Sequence, residues 1–330
     1  MPGGVELTAF FVLRLVIVGF LISLVLGALL LRILPQFQIR QTAYEDAPKS
    51  HRGKTGTPTM GGLAILAAML PAWWWNGYDP PTLALLGLIF VCAAIGLLDD
   101  YLGILKGRNR GLRARTKYLA TALVATVFLR VVGEAAGVPV GTIFHAGGAS
   151  LLVPYWFWLI LGVIAITGTV HAVNLTDGLD GLAIGTIVPP LAVLAAIAIH
   201  VFPPALTPAT WPLVLLLAIG GSLGFLVYNR YPAKMFMGDT GSLALGALLS
   251  GAAILSGEML LLVLIGGVFV AEALSVIIQV AYFKLTRKRI FRMSPLHHHF
   301  ELGGIAEPAV TLRFWTASAL CSLVGWAIVR

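Results

Sequence analysis

Apolar residues in this chain fall into long blocks separated by short polar segments. About 20 apolar residues are needed to cross a bilayer. Ten blocks approach or exceed that length, at 8–31, 59–75, 81–98, 117–133, 153–173, 181–202, 210–228, 240–256, 259–283 and 309–329. The second is short, and the eighth and ninth are separated only by Gly257 and Glu258, which reads as a tight outer turn. The first contains Arg14 but lacks a basic leader, so it is expected to span rather than to be cleaved as a signal. No repeat of the inverted-transporter kind is visible. The pattern predicts an all-α integral membrane protein with ten transmembrane helices, forming a single polytopic domain over residues 1–330.

Composition agrees. Hydrophobic residues make up 58% and charged residues only 11% of the chain, where a soluble domain carries about 25% charged residues. A net charge of +8 would suggest nucleic acid in a soluble protein. Here the charge sits in a few loops, so topology explains it and no nucleic-acid partner is expected. Cys92 and Cys321 both lie in apolar runs and form neither a metal spacing nor a disulfide framework.

Lys and Arg set the orientation. Basic residues follow the first block (Arg40, Lys49, Arg52, Lys54), the third (Lys106, Arg108, Arg110, Arg113, Arg115), the seventh (Arg230, Lys234) and the ninth (Lys284, Arg287, Lys288, Arg289, Arg292). The alternate segments 76–80, 134–152, 203–209 and 257–258 contain neither Lys nor Arg. The positive-inside rule therefore places the basic loops in the cytoplasm and both termini outside.

The polar clusters fall at the cytoplasmic ends of this scheme. They are Asp99 and Asp100, then Asn174, Asp177 and Asp180, then Asp239, and finally His297, His298 and His299. Acids at membrane depth are costly and mark function. Five aspartates on one face would repel unless a cation sat among them, and hard oxygen ligands suit Mg²⁺. Adjacent histidines cannot all address one ion, so they read as phosphate-facing donors or a general acid/base rather than a zinc site. Glycines at 178, 181, 238 and 241, and at 61 and 62, leave backbone N–H groups open where helices begin, which suits phosphate.

These runs, in this order, resemble the phospho-N-acetylmuramoyl-pentapeptide transferase family. The resemblance rests on residues 50–62, the Asp99–Asp100 pair, residues 174–181, Tyr228–Asn229 with residues 236–239, and the Pro-Leu-His-His-His-Phe-Glu run at 295–301. It extends from about residue 40 to Trp315. The aspartate runs belong to the wider polyprenyl-phosphate N-acetylhexosamine-1-phosphate transferase superfamily, whereas the runs at 57–62 and 295–301 are narrower. His171 departs from the family pattern, where Asn is expected.

The resemblance implies ten helices, a homodimer in the bacterial inner membrane, and Mg²⁺-dependent transfer from UDP-MurNAc-pentapeptide to undecaprenyl phosphate, giving lipid I and UMP. By position it implies Asp239 as the metal ligand, with Asp99 and Asp100 at the reacting phosphates and His297, His298 and His299 in the catalytic cluster. Gly178, Leu179, Asp180 and Phe236 then resemble a uridine pocket, with Phe236 stacking on the base. Lys54, Thr59, Lys117, Asn174, Asp177 and Asn229 would line the same cleft.

Other polar residues carry structural expectations. Asp46, Glu134, Glu301 and Glu307 read as solvated loop acids, His51, His145, His171 and His200 as structural, and Trp73–Trp75 as an outer aromatic belt. Two other functions fit parts of the pattern. One is a UDP-GlcNAc:undecaprenyl-phosphate GlcNAc-1-phosphate transferase. The other is a transporter, for which Glu272 and Gln279 are the intramembrane polar groups; they serve equally as interhelical hydrogen-bonding groups.

Overall fold

The computed structural model describes residues 9–37, 56–75, 79–106, 111–135, 138–146, 149–200 and 210–330. Helix α1 (Ala9–Ile33) is followed by the short pair α2 (Gly62–Met69) and α3 (Pro71–Trp75), broken where Pro71 cannot continue the ladder of α2. Helices α4 (Pro80–Leu105) and α5 (Ala114–Gly133) come next, then strands β1 (Thr142–Ala146) and β2 (Ala149–Leu152). The remainder is α6 (Tyr155–Thr176), α7 (Leu182–His200), α8 (Trp211–Asn229), α9 (Gly238–Leu255), α10 (Leu261–Ile265), α11 (Gly267–Thr286), α12 (Leu296–Glu301) and α13 (Glu307–Val329).

Nine helices among the described residues are long and apolar enough to cross a membrane: α1, α4 to α9, α11 and α13. Two sequence expectations need adjustment. The second block becomes the apolar stretch Gly62–Trp74, roughly 20 Å of helix against a hydrocarbon core of about 30 Å. The ninth block is divided at Gly266 into α10 and α11. The mostly helical chain fits the all-α expectation, with β1 and β2 added as an antiparallel hairpin with an irregularity between Thr142 and Phe144. The exposed Trp73 and Trp74 fit the expected aromatic belt.

Helix α9 is the axis of the bundle. Every residue from Thr240 to Leu255 is buried, and α4, α6 and α2 pack against it while α1 packs on α8. Small residues permit this closeness, as membrane helices favour. At Gly96 of α4, a Cβ would fall 2.2 Å from the Asp239 carbonyl oxygen. That contact brings the end of α4 onto the start of α9. Asp79 starts α4, its side chain accepting from Thr82 N at 3.2 Å ahead of two prolines.

The far end of α9 holds the hairpin. Glu258 is fully buried and lies 2.9 Å from His145 Nδ1, while Leu260 N donates to Ile143 O at 2.9 Å. His145 is structural, as expected, but its partner is a buried acid. Burial pushes the Glu258 carboxyl up to about 7 and lowers His145 from its ordinary value. The folded-state value of Glu258 lies above that of the unfolded chain. Its contribution is therefore present at low pH and is lost as pH rises through about 7. Between about pH 5 and about pH 8, wild type is expected to lose more thermal stability than Glu258→Gln, which carries no titrating group there. Parallel melting curves check this; equal losses would dismiss Glu258 as the cause.

Candidate active site

The end of α4 and the start of α9 meet through Asp100. Its Oδ1 accepts from Asp239 N at 3.0 Å, and its Oδ2 accepts from Thr240 N at 3.0 Å and Thr240 Oγ1 at 2.7 Å. Asp100 thus caps α9 from a neighbouring helix, satisfying N–H groups that helix starts leave open. Gly238, at φ +74, leaves room for this carboxylate, since a Cβ there would lie 2.6 Å from Asp100 Oδ2.

Asp99, the preceding residue, points elsewhere. Its Oδ1 accepts from Leu112 N at 2.7 Å, and its Oδ2 lies 3.4 Å from Lys117 Nζ. Lys117, at the start of α5, also donates to Asp239 Oδ2 at 2.7 Å. The other oxygen of Asp239 accepts from Asn174 Nδ2 at 2.8 Å, and that amide group also reaches Ser242 Oγ at 2.9 Å. Four helices therefore contribute to one polar cluster of two carboxylates bridged by an ammonium. Asp177, just past the end of α6, has its carboxyl pushed well above the ordinary range, first by burial and then by the charges of Asp239, Asp100 and Asp180. His171 stacks on Tyr118 at 5.6 Å and lies 3.1 Å from Thr121 Oγ1.

A second group builds the turn after α6. Asp180 Oδ2 accepts from Ala233 N at 2.8 Å, and its own N–H donates to Glu307 Oε1 at 2.7 Å. Asn229 joins the turn to the loop after α8, accepting from Gly181 N at 3.1 Å and donating to Met235 O at 3.0 Å. Trp315 Nε1 donates to Gly181 O at 3.1 Å. Asp180 and Asn229 are buried and these side-chain atoms are engaged within the protein. Leu179 packs with Leu182 and Val310. Phe236 is pinned by its backbone, donating to Pro58 O at 2.8 Å and accepting from Gly61 N at 2.9 Å, which sets the segment containing the buried Thr59 beside α9.

The three histidines diverge, as adjacent residues must. His297 is fully buried on Glu272. His298 Nδ1 lies 3.2 Å from Glu301 Oε2. His299 Nδ1 accepts from Arg292 N at 3.1 Å. The expectation of solvated acids fails for two residues. The side chains of Glu301 and Glu307 are at most 8% exposed, because each serves a loop beside the site. Glu134, 74% exposed at its side chain, keeps the solvated reading. Gln279 pins the segment before the histidines, its Oε1 accepting from Ile290 N and Phe291 N at 3.0 Å. Both intramembrane polar groups of α11 thus hold the histidine loop.

Ser242, Thr240, Glu272, Gln279, Glu301 and Glu307 were not among the expected site residues. An acid inside an apolar span was the visible signal for Glu272. Lys54, Asp46 and His51 lie outside the described residues. Among those described, no group of three His, Cys, Asp or Glu side chains forms a ready-made metal cage.

The chain matches known families along most of its length. The profile for glycosyl transferase family 4 covers residues 82–257, and phospho-N-acetylmuramoyl-pentapeptide-transferase signature 1 covers residues 54–66. It is 43% identical to the phospho-N-acetylmuramoyl-pentapeptide-transferase of Desulforudis audaxviator, an alignment covering 94% of this chain and 96% of that protein. Identity is 41% to the transferase of the same name from Geobacillus kaustophilus, over 93% and 94% of the two chains. For that of Desulforamulus reducens it is 44%, over 93% and 92%. With identity at this level across nearly the full length of each, the chain belongs to the phospho-N-acetylmuramoyl-pentapeptide transferase family.

Proposed function

We propose that this protein transfers phospho-MurNAc-pentapeptide from UDP-MurNAc-pentapeptide to undecaprenyl phosphate, giving lipid I and UMP. The observation that carries the reading is the Asp99–Lys117–Asp239–Asn174 cluster at one end of the bundle, in a chain whose relatives bear that transferase's name. Both substrates are anionic, so their meeting requires neutralisation and fixed orientation. Lys117 supplies a cation between the two carboxylates and a partner for phosphate. Asn174 orients Asp239, and Asp100 holds the backbone from which Asp239 projects. Asp99 is the catalytic carboxylate in this reading. It either takes the proton of the lipid phosphate or attacks as a nucleophile, and trapping of a phospho-sugar on the enzyme without lipid separates the two.

The donor set suits Mg²⁺, which takes one or two carboxylates together with substrate phosphate. Asp239 and Asp177 would hold it, and it would offset phosphate charge as a Lewis acid. The turn at 178–180 and Phe236 form the uridine side of the pocket, with Asn229 supporting them. The chain crosses the bacterial inner membrane ten times, α2 and α3 completing the count. Both termini are external, the site opens to the cytoplasm, and the working unit is a homodimer. A transporter reading loses its support, since Glu272 and Gln279 hold a loop rather than a midplane site.

The orientation predicts labelling. In a background lacking Cys92 and Cys321, an impermeant thiol reagent on intact cells should label Ser150→Cys in the hairpin and leave the exposed Ile290→Cys unlabelled. Labelling of the second alone would invert the scheme. The function itself is tested by offering purified protein UDP-MurNAc-pentapeptide or UDP-GlcNAc with undecaprenyl phosphate. Lipid-linked product is expected from the first only, and preference for the second would assign the enzyme to the GlcNAc-1-phosphate branch.

A further inference from the structure

Two residues one turn apart on α6 reach out of that helix toward the charged cluster. Asn174 bonds Asp239 on α9, and His171, three positions earlier, turns to α5. This stretch of α6 is seated directly on α9, since a Cβ at Gly246 would fall 2.6 Å from Val170 Cα. His171 is also where the chain departs from the asparagine expected on the family pattern.

The imidazole ends on the turn that carries Lys117. Its Nε2 lies 3.1 Å from Oγ1 of the fully buried Thr121. That hydroxyl lies 3.0 Å from Lys117 O and 2.9 Å from Tyr118 O. Carbonyl oxygens only accept, so the single hydroxyl proton goes to them, and the Thr121 oxygen accepts from Nε2–H of His171. A hydrogen-bonded chain thus runs from α6 to the backbone carbonyl of Lys117. The ring also stacks on Tyr118, with centroids 5.6 Å apart and planes 20° apart. Both contacts fix the start of α5 against α6.

Lys117 carries its ammonium on a flexible stem, yet Nζ lies 2.7 Å from Asp239 Oδ2 and 3.4 Å from Asp99 Oδ2. Holding that geometry requires the backbone beneath the stem to stay in place. We propose that His171 is a positioning residue for Lys117, fixing the start of α5 through Thr121 and Tyr118 so that the ammonium bridges the two carboxylates. Helix α6 then sets both halves of the Lys117–Asp239 pair, the cation through His171 and the anion through Asn174. That this pair serves phosphate transfer rests on the transferase reading above.

Full-length protein in lipid is assayed for UMP release from UDP-MurNAc-pentapeptide with undecaprenyl phosphate. His171→Leu removes the donor and the stacked ring, and it is expected to lower kcat about tenfold, since a shift of about 1 Å costs about 10²-fold. KM for either substrate stays within about threefold, and the melting temperature stays close to that of wild type. His171→Gln, whose amide nitrogen reaches about as far as Nε2 and can donate, recovers most of the lost turnover. Thr121→Val breaks the same chain and gives the same loss, and it reports the link should His171→Leu fail to fold. The double variant is no slower than the slower single one, because the residues act in series. In Lys117→Ala protein, His171→Leu costs less than about twofold.

Unchanged kcat in His171→Leu would overturn the proposal, as would effects of His171 and Thr121 that multiply. So would a full loss on top of Lys117→Ala, which would mean that His171 acts elsewhere. If wild type releases no UMP, the transferase reading fails. The positioning role is then decided without substrate, by the coupling of Lys117→Ala with Asp239→Asn in thermal unfolding. That coupling is expected to shrink when His171→Leu is present, and an undiminished coupling would overturn the proposal.

Discussion

Asp239→Asn is expected to lower kcat at least about 10³-fold while the protein keeps its fold. The side chain is 22% exposed and faces two donors, Lys117 and Asn174. Asparagine must turn its amide group toward one of them and brings no charge to the place where phosphates converge. Its backbone N–H is still held by Asp100, so the start of α9 remains in place. The melting temperature should therefore stay near that of wild type. The same reading expects wild-type activity to vanish in excess EDTA and to return with Mg²⁺. UMP release by variant and wild type, with and without chelator, decides both points. Full turnover by Asp239→Asn would remove Asp239 from the reaction, and full turnover by wild type in EDTA would remove the metal.

Asp100→Ala is expected to fail differently. It strips three acceptor contacts from the start of α9, leaving two backbone amides and the Thr240 hydroxyl without their partner. Each such donor costs about 1–3 kcal/mol when buried, so a loss of about 3 kcal/mol of stability follows. Turnover falls as well, because Asp239 moves with its backbone, and a shift of about 1 Å costs about 10²-fold. Asp100→Asn, which keeps one oxygen acceptor, should lie between. Thermal unfolding and kcat measured on the same samples separate the neighbours. If Asp100→Ala kept its melting temperature and lost turnover as deeply as Asp239→Asn, Asp100 would belong with the reacting groups instead.

The sequence carried the membrane architecture well, because a bilayer demands apolar runs that any reader of the chain can measure. It was weaker where length met local chemistry. The 59–75 run reads as one span until Pro71 is seen to divide it, and the 142–152 hairpin lacks any strong alternation. Among the site residues, the resemblance put Asp99 and Asp239 in the catalytic set and Lys117 and Asn174 among the residues lining the cleft, and the structure brings these four together in one cluster. It did not separate residues that face the cluster from residues that build its walls. Asp100, Asp180 and Asn229 spend hydrogen bonds on a helix start or on turns more than 45 residues away in sequence. No spacing rule reports such partners. Glu307 and Glu301 look like loop acids for the same reason, since a carboxylate accepting from a distant turn has the same local sequence as a solvated one.

The most direct test of the whole account is stoichiometric. Purified protein is given UDP-MurNAc-pentapeptide and Mg²⁺, with undecaprenyl phosphate either present or left out, and UMP and lipid-linked sugar are counted together. The account predicts UMP and lipid-linked product appearing one for one over many turnovers, with at most one UMP per enzyme when the lipid is omitted. Continued UMP release without lipid, or no UMP with all components present, would contradict it.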